Sequence, residues 1–350
     1  MITALATIFV LGVLIFFHEL GHFLVAKKSG IRVDKFSLGF PPTILSRKWG
    51  ETEYAIGAIP LGGYVKMAGE NPDEEASGEP WEFMSKPVWK RFLVIFAGPF
   101  MNFALAVLVL AGVYSIRGEA VDNAVIVRGV DETGPAAMAG ILPGDRIVEI
   151  DGVAINSFRH MADSIIYPKI EQPVTVTWER DGQLYTKTMT TIKSWAQNAS
   201  GDSVQIGLIG INPKVIYSRM NIVSAFGEGF SQSIFYVKMV FGFVYDLITR
   251  RVDPSGIGGP IFISQLAGQT ARSGFDVLLE FMALLSVNLA VLNILPIPVL
   301  DGGHMLFLIV EKLKGKPLSI KARLVAQQVG LAFMLILIVF VTFNDIFRLR

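Results

Sequence analysis

The chain has 350 residues, of which 52% are hydrophobic and 17% charged, and a mean hydropathy of +0.51. That is too apolar for an ordinary soluble domain and points to a polytopic membrane protein. A net charge of +1 creates no global field for nucleic acid, and the lack of cysteine removes disulfides, thiolate ligands and a cysteine nucleophile together, so any metal must be held by histidine and carboxylate.

Ile2 to Ala26 is long and apolar enough to span a bilayer. Met1-Ile2-Thr3 offers no basic start, so this segment is expected to be retained rather than cleaved. Inside it stands Phe17-His18-Glu19-Leu20-Gly21-His22. Placing ionisable groups in hydrocarbon costs several kcal/mol, roughly 3 or more each, so such a cluster reads first as function. His18 and His22, at i and i+4, share one helix face, where two imidazoles can hold one Zn²⁺ while Glu19 reaches a metal-activated water. A buried structural pair explains one histidine less awkwardly than two with a carboxylate.

Basic residues follow: Lys27, Lys28, Arg32, Lys35, Arg47 and Lys48, then Lys86, Lys90 and Arg91. The positive-inside rule makes this connection cytoplasmic, and the first helix then runs inward with its histidines roughly 22 Å from the outer end. Within the connection, Glu53 to Met67 mixes strand formers with Gly57, Gly62 and Gly63 and reads as a bent hairpin. Gly62 and Gly63 are either part of an edge that pairs with an extended substrate or part of an ordinary cytoplasmic hairpin. Asn71 to Pro80 is polar and acidic and reads as an exposed loop. The second span, Phe92 to Tyr114, carries Gly98-Pro99-Phe100-Met101-Asn102 near its inner end; small residues allow close helix approach, and Asn102 reads as a packing residue.

From Arg117 to about Pro213 the composition becomes that of a soluble domain. Asn123 to Val130 alternates like a strand, Gly134 to Gly140 holds a short helix, Arg146 to Asp151 is a strand, Phe158 to Ile166 a helix, and Val174 to Thr190 a hairpin turned at Asp181-Gly182. This order, with GPAAMAGILPGDRIVEIDG at its centre, resembles a PDZ domain of the bacterial protease-associated kind. Such a resemblance implies binding of extended chain ends by strand addition, for substrate selection or for exclusion of folded ectodomains. His160 here reads as an ordinary surface histidine.

Tyr217 to Arg251 is apolar and aromatic but interrupted by Glu228, Lys238 and Asp246. If it crossed the membrane, the basic cluster Lys312, Lys314, Lys316, Lys321 and Arg323 would fall outside, so it is expected to be an amphipathic helix on the outer surface. Asp253 to Pro260 reads as a turn-rich structural connection. The remaining spans are Val277 to Leu295 and Leu324 to Phe343. At the end of the third comes Asn293-Ile294-Leu295-Pro296-Ile297-Pro298-Val299-Leu300-Asp301-Gly302-Gly303-His304. Two prolines break a helix and expose backbone groups. Asp301 supplies the carboxylate missing beside His18 and His22 and leaves a fourth position open for water, as a catalytic zinc requires; His304, one turn on, is the competing ligand. Asn293 either hydrogen-bonds a substrate backbone or oxyanion, or ties off an unwound carbonyl.

His18-Glu-Leu-Gly-His22 in a first membrane helix, the Gly62-Gly63-Tyr64-Val65-Lys66-Met67 loop, one PDZ-like module after the second helix and the Asn293 to His304 stretch together resemble the site-2 protease family of intramembrane zinc metalloproteases, specifically its bacterial RseP-like branch. The resemblance covers almost the whole chain. It implies Zn²⁺ held by His18, His22 and Asp301, catalysis by Glu19, and substrate positioning at Asn293. It further implies single-span membrane substrates such as anti-sigma factors or remnant signal peptides, trimmed beforehand by a site-1-type protease, and no nucleic acid partner. Known members of the branch carry two tandem PDZ modules, so a size filter built from two does not transfer unchanged. The resulting expectation is an α-helical polytopic protein of the bacterial cytoplasmic (inner) membrane with about four transmembrane helices, a cytoplasmic-side β-hairpin and one inserted, mainly β, extracytoplasmic PDZ domain. Its parts are 1–116 (first half of the membrane core), 117–213 (PDZ domain), 214–275 (surface helix and connection) and 276–350 (second half of the core). The rival readings are a membrane-anchored peptidase acting on exposed chains and a non-catalytic PDZ adaptor with structural zinc. An open fourth coordination position argues against the adaptor. A transporter lacks support, because no second broken helix occupies a corresponding half.

Overall fold

The computed structural model describes residues 1–70, 78–121, 125–162, 166–197, 203–214, 216–251 and 258–348. Most of the acidic loop expected over 71–80 and of the connection expected over 253–260 lies outside the described residues, as do 123–124 of the first expected strand and 163–165 of the helix expected after Phe158. Two compact units emerge, one from residues 1–115 with 221–350 and one from 116–220.

The first unit opens with α1 (Ile2–Lys28), whose last turn carries Lys27 and Lys28, favourably placed against the helix dipole. Then come β1 (Val33–Trp49) and β2 (Thr52–Met67), paired antiparallel. The hairpin expected wholly within Glu53 to Met67 is corrected here: that stretch is a single strand, its partner is the strand before it, and the turn is at Gly50, whose φ is +63. The glycines inside β2 mark a bend instead. A Cβ on Gly57 would lie 2.3 Å from the Phe40 carbonyl oxygen, so the ribbon folds on itself there, and Phe36 pairs with both Tyr54 and Val65. Val33, Phe36, Val65 and Met67 bury their apolar faces with Ala26, Val94 and Ile95, which fixes the ribbon to α1 and to α2 (Val88–Arg117).

The second unit is mainly β. It holds β3 (Glu119–Val121), β4 (Val125–Val130), α3 (Pro135–Ala139), β5 (Arg146–Ile150), β6 (Val153–Ala154), α4 (Phe158–Met161), β7 (Pro173–Arg180), β8 (Gln183–Thr190), β9 (Ile192–Gln197), β10 (Ser203–Leu208), β11 (Ile211–Pro213) and β12 (Ile216–Ser218). The main sheet runs β11-β4-β5-β7-β8, with β6 on β5. Alternation in β7 buries Val174, Val176 and Trp178 against Val125, Val127, Ile147 and Ile150. Pro135 starts α3 and Gly140, with φ +88, ends it. The β7–β8 hairpin turns at Asp181-Gly182, φ +51 and +79, as a two-residue turn requires.

The first unit resumes with α5 (Ile222–Ile248), capped by Asn221, whose side chain accepts the Ser224 N–H at 2.8 Å. Its small buried residues meet α2: a Cβ on Gly229 would lie 2.8 Å from the Ala111 nitrogen. Next is α6 (Pro260–Ser273), a helix where a connection is expected; its Gln, Thr and Ser residues leave only a narrow apolar face. It lies antiparallel to α1, with Ser264 at 2.9 Å from Thr7 and Arg272 at 3.3 Å from Thr3. The buried Asp345 carboxylate accepts the Gly259, Ile261 and Phe262 N–H groups at 2.8, 3.0 and 3.0 Å and so caps its start. Then follow α7 (Phe275–Ile294), α8 (Asp301–Lys314) and α9 (Ile320–Arg348). Among the described residues, four helices are long and apolar enough to cross a membrane, namely α1, α2, α7 and α9, so the chain is a multi-pass membrane protein. The described α5 is not among them.

In the second unit, Asp145 is 1% exposed and accepts the Leu142 N–H at 2.8 Å and two Arg180 N–H groups at 2.7 Å each. Burial pushes its carboxyl up, but the Arg180 and Leu142 hydrogen bonds and the Arg180 charge outweigh that and hold it below the usual carboxylate value. Stability from a depressed carboxyl is present above the unfolded value of about 3.9 and is lost as pH falls through the folded one. Thermal unfolding of a 116–220 fragment should therefore show Asp145→Asn melting well below wild type at pH 7, with the two curves converging in strong acid; parallel curves at all pH values would contradict this.

Candidate metal centre

Two chain segments meet along the second half of α1. Helical periodicity puts His18 and His22 on one face, and the break between α7 and α8 brings in Asp301. Pro296 and Pro298 keep 295–300 out of a helix, and Val299 holds φ +93, which a β-branched residue adopts only under constraint, at about 1–3 kcal/mol. The tight return to α8 needs bare backbone: a Cβ on Gly302 would lie 2.1 Å from the Leu295 carbonyl oxygen.

One donor atom from each of His18, His22 and Asp301 lies within 4.8 Å of the other two. The two Nε2 atoms are 3.2 Å apart, His18 Nε2 is 3.2 Å from Asp301 Oδ2, and His22 Nε2 is 3.6 Å from Asp301 Oδ1. Tetrahedral zinc with bonds of ~2.0 Å separates its ligands by about 3.3 Å, so these spacings suit that ion. Asp301 Oδ2 is also buried without a hydrogen-bond partner, which a coordinating cation would correct. The residues fit a two-histidine, one-carboxylate zinc site with a position left for water.

Glu19, His18, His22, Asp301 and Gly63 line one cavity of about 450 Å³. A Cβ on Gly63 would lie 2.9 Å from Glu19 Cγ, so the end of β2 can approach the glutamate only as glycine. Gly62 points elsewhere, against the Phe40 ring, and is not among the described residues lining this cavity. Asn293 is half-buried near the end of α7 and is likewise outside that lining. His304 faces the cavity but stands outside the three-donor cluster.

The face of α2 that meets the histidines was not identified as part of the site from sequence. The Val94 carbonyl accepts His22 Nδ1–H at 2.8 Å, Gly98 leaves room for both rings, and the Asn102 amide lies 3.2 Å from His18 Nδ1. Residues 94, 98 and 102 fall at i, i+4 and i+8, so the helical spacing of Gly98 and Asn102 was the available signal. A buried ion pair closes the cavity's other side: Arg91 donates to Glu311 at 2.5 and 3.2 Å, and Arg323 is 3.5 Å from the same carboxylate, joining α2, α8 and α9. Removing one partner would leave a buried charge, which is strongly destabilising.

A model described as Peptidase family M50 matches residues 6–337. "Putative zinc metalloprotease R01501" of Rhizobium meliloti (strain 1021) is 36% identical, with 97% of this chain and 95% of that protein covered. "Putative zinc metalloprotease Atu1380" of Agrobacterium fabrum (strain C58 / ATCC 33970) is 35% identical, with 97% and 94% covered. "Putative zinc metalloprotease NMA0084" of Neisseria meningitidis serogroup A is 30% identical over 449 positions, with 99% of each chain covered. Among solved structures, the PDZ domain of the SdrC-like protein (Lmo2051) from Listeria monocytogenes matches at 25% identity, covering 27% of this chain and 90% of that one, with a TM-score of 0.21.

A Cβ on Gly98 would lie 2.3 Å from His22 Nε2 and 2.9 Å from His18 Cε1. Gly98→Ala should displace both rings and weaken zinc binding by about 10- to 100-fold, the equivalent of overpacking by roughly 1–3 kcal/mol, with helix content by circular dichroism unchanged. Wild-type zinc affinity in this variant would contradict the placement of α2.

Proposed function

The chain belongs to peptidase family M50, the site-2 protease family of zinc-dependent metalloendopeptidases, and from that membership we propose that it hydrolyses peptide bonds within transmembrane segments of other membrane proteins. One observation carries this reading: His18, Glu19 and His22 lie within a helix fit to span a bilayer, and Asp301, the donor that joins the two histidines, starts α8 just beyond another such helix, α7. A peptidase for soluble chains has no need to place its donor set there.

A zinc ion held by His18, His22 and Asp301 supplies Lewis acidity, which makes water nucleophilic and polarises a carbonyl. Glu19 takes the proton from the attacking water as its oxygen bonds to the carbonyl carbon, then gives that proton to the amide nitrogen as the C–N bond breaks. A transmembrane helix hides its carbonyls in its own hydrogen bonds, so the substrate unwinds first. The end of β2 at Gly62 and Gly63 replaces the lost bonds by pairing with the unwound segment as an added strand, Gly63 keeping that strand against Glu19. Asn293 steadies the substrate backbone where α7 ends.

The domain division follows from this role. Residues 1–116 and 276–350 form the two halves of the catalytic membrane core, 117–213 form a single PDZ domain, and 214–275 hold the surface helix and connection, whose α5 and α6 pack on the core. The sheet of 116–220 supports the PDZ assignment by its order of strands, short helices and terminal hairpin. The β1–β2 ribbon lies on the cytoplasmic side and the PDZ domain outside, in a bacterial inner membrane, and the basic residues around the ribbon support this orientation. The substrates are single-span proteins already trimmed by another protease, anti-sigma factors or remnant signal peptides among them, and the PDZ domain reads the trimmed chain end.

The test is cleavage of a tagged single-span substrate by the purified protein, wild type against Glu19→Gln, with bound zinc measured on both. The variant should retain zinc and lose activity by about 100- to 10,000-fold, the usual contribution of general acid–base catalysis. Equal processing by both proteins would contradict the role of Glu19. Inactivity of both on several substrates, with zinc bound, would favour the adaptor reading.

A further inference from the structure

The two zinc histidines are oriented by the same face of α2 but not by equivalent partners. His22 Nδ1 lies 2.8 Å from the Val94 carbonyl oxygen, which can only accept, so the ring proton sits on Nδ1 and Nε2 is free to bind metal. His18 Nδ1 lies 3.2 Å from Asn102 Nδ2. If Nδ2 donates there, the His18 proton is forced onto Nε2, the atom turned toward His22 and Asp301. At the same time Asn102 Oδ1 is buried and has no hydrogen-bond partner. An amide's oxygen and nitrogen exchange places by a half-turn at no cost in volume, and the hydrogen-bond network decides between them.

We propose that Asn102 is the positioning residue of this metal site: its Oδ1 accepts His18 Nδ1–H and fixes the tautomer that presents Nε2. Position and burial both serve this. Asn102 is 0% exposed, and its backbone carbonyl accepts the Ser286 hydroxyl at 2.7 Å, so α7 pins the residue in place. Val94, Gly98 and Asn102 then act as one template, with an acceptor for each imidazole and a gap between them. Outer partners of this kind hold metal-binding imidazoles in register, and losing one typically weakens metal binding by about 10- to 100-fold. A packing residue at this position would have no need of an acceptor.

The inference rests on the zinc reading of His18, His22 and Asp301, and the experiment separates the two. Zinc affinity of the purified full chain is measured by chelator competition for wild type, His18→Ala, Asn102→Leu and Asn102→Asp, with Co²⁺ absorption as a second readout and thermal unfolding of the metal-free proteins as the fold control. Asn102→Leu should bind zinc about 10- to 100-fold more weakly with unchanged metal-free unfolding, while Asn102→Asp, which keeps an acceptor on the ring, stays within about threefold of wild type. Should Asn102→Leu fail to fold, Asn102→Ala takes its place with the same expectation. Wild-type affinity in the apolar variant, or equal weakening in the apolar and acidic variants, would overturn the role of Asn102. Zinc binding that His18→Ala leaves untouched would overturn the zinc site itself, and the role of Asn102 with it.

Discussion

Everything in the membrane unit depends on holding two imidazoles and a carboxylate together inside a bundle of apolar, span-length helices. Each group is costly there alone, and the three become tolerable only when they share a cation and when their remaining polar atoms have partners. His22 finds its partner in the Val94 carbonyl, and Asp301 is brought in by a stretch of chain that two prolines keep from being helical. Backbone freed in that break is tolerated because the stretch borders the cavity, which Val299 lines, and the strained Val299 is held between the helices on either side.

Close helix approach is the second requirement, and small residues meet it. A Cβ on Gly21 would lie 2.2 Å from the Ala97 carbonyl oxygen, so α1 and α2 touch backbone to backbone next to the histidines. Gly98 serves the same contact from the other side. The β ribbon adds a third wall: its bend returns the end of β2 to α1, and Gly63 lets strand and glutamate meet. Away from the site, Asp345 caps α6 and Glu311 gathers Arg91 and Arg323, so the outer helices are anchored by buried charge as well as by apolar contact.

The spans and the metal donors were legible because they depend on local signals. Apolar length marks a crossing, i and i+4 mark one helix face, and Pro-x-Pro marks a break; together these local signals place His18, His22 and Asp301 in one site. What escaped depends on pairing across the chain. The ribbon's turn was misplaced because Glu53 to Met67 contains enough glycine to turn by itself, and only its pairing with Val33–Trp49 shows that those glycines bend a strand. The α6 helix was missed because Gln, Thr, Ser and Arg give it no apolar run, although one narrow face with Ala267 suffices to pack on α1. Asn102 was read as a packing residue because its spacing from Gly98 has meaning only once α2 is known to face the histidines.

The most direct test of an intramembrane reaction is the position of the cut. A single-span substrate reconstituted with the protein in lipid bilayers, and its products mapped by mass spectrometry, should show cleavage at a peptide bond within the apolar segment, level with the second half of α1 where His18 and His22 stand. Cuts confined to residues outside that segment would contradict the account and make this a membrane-anchored peptidase for exposed chains.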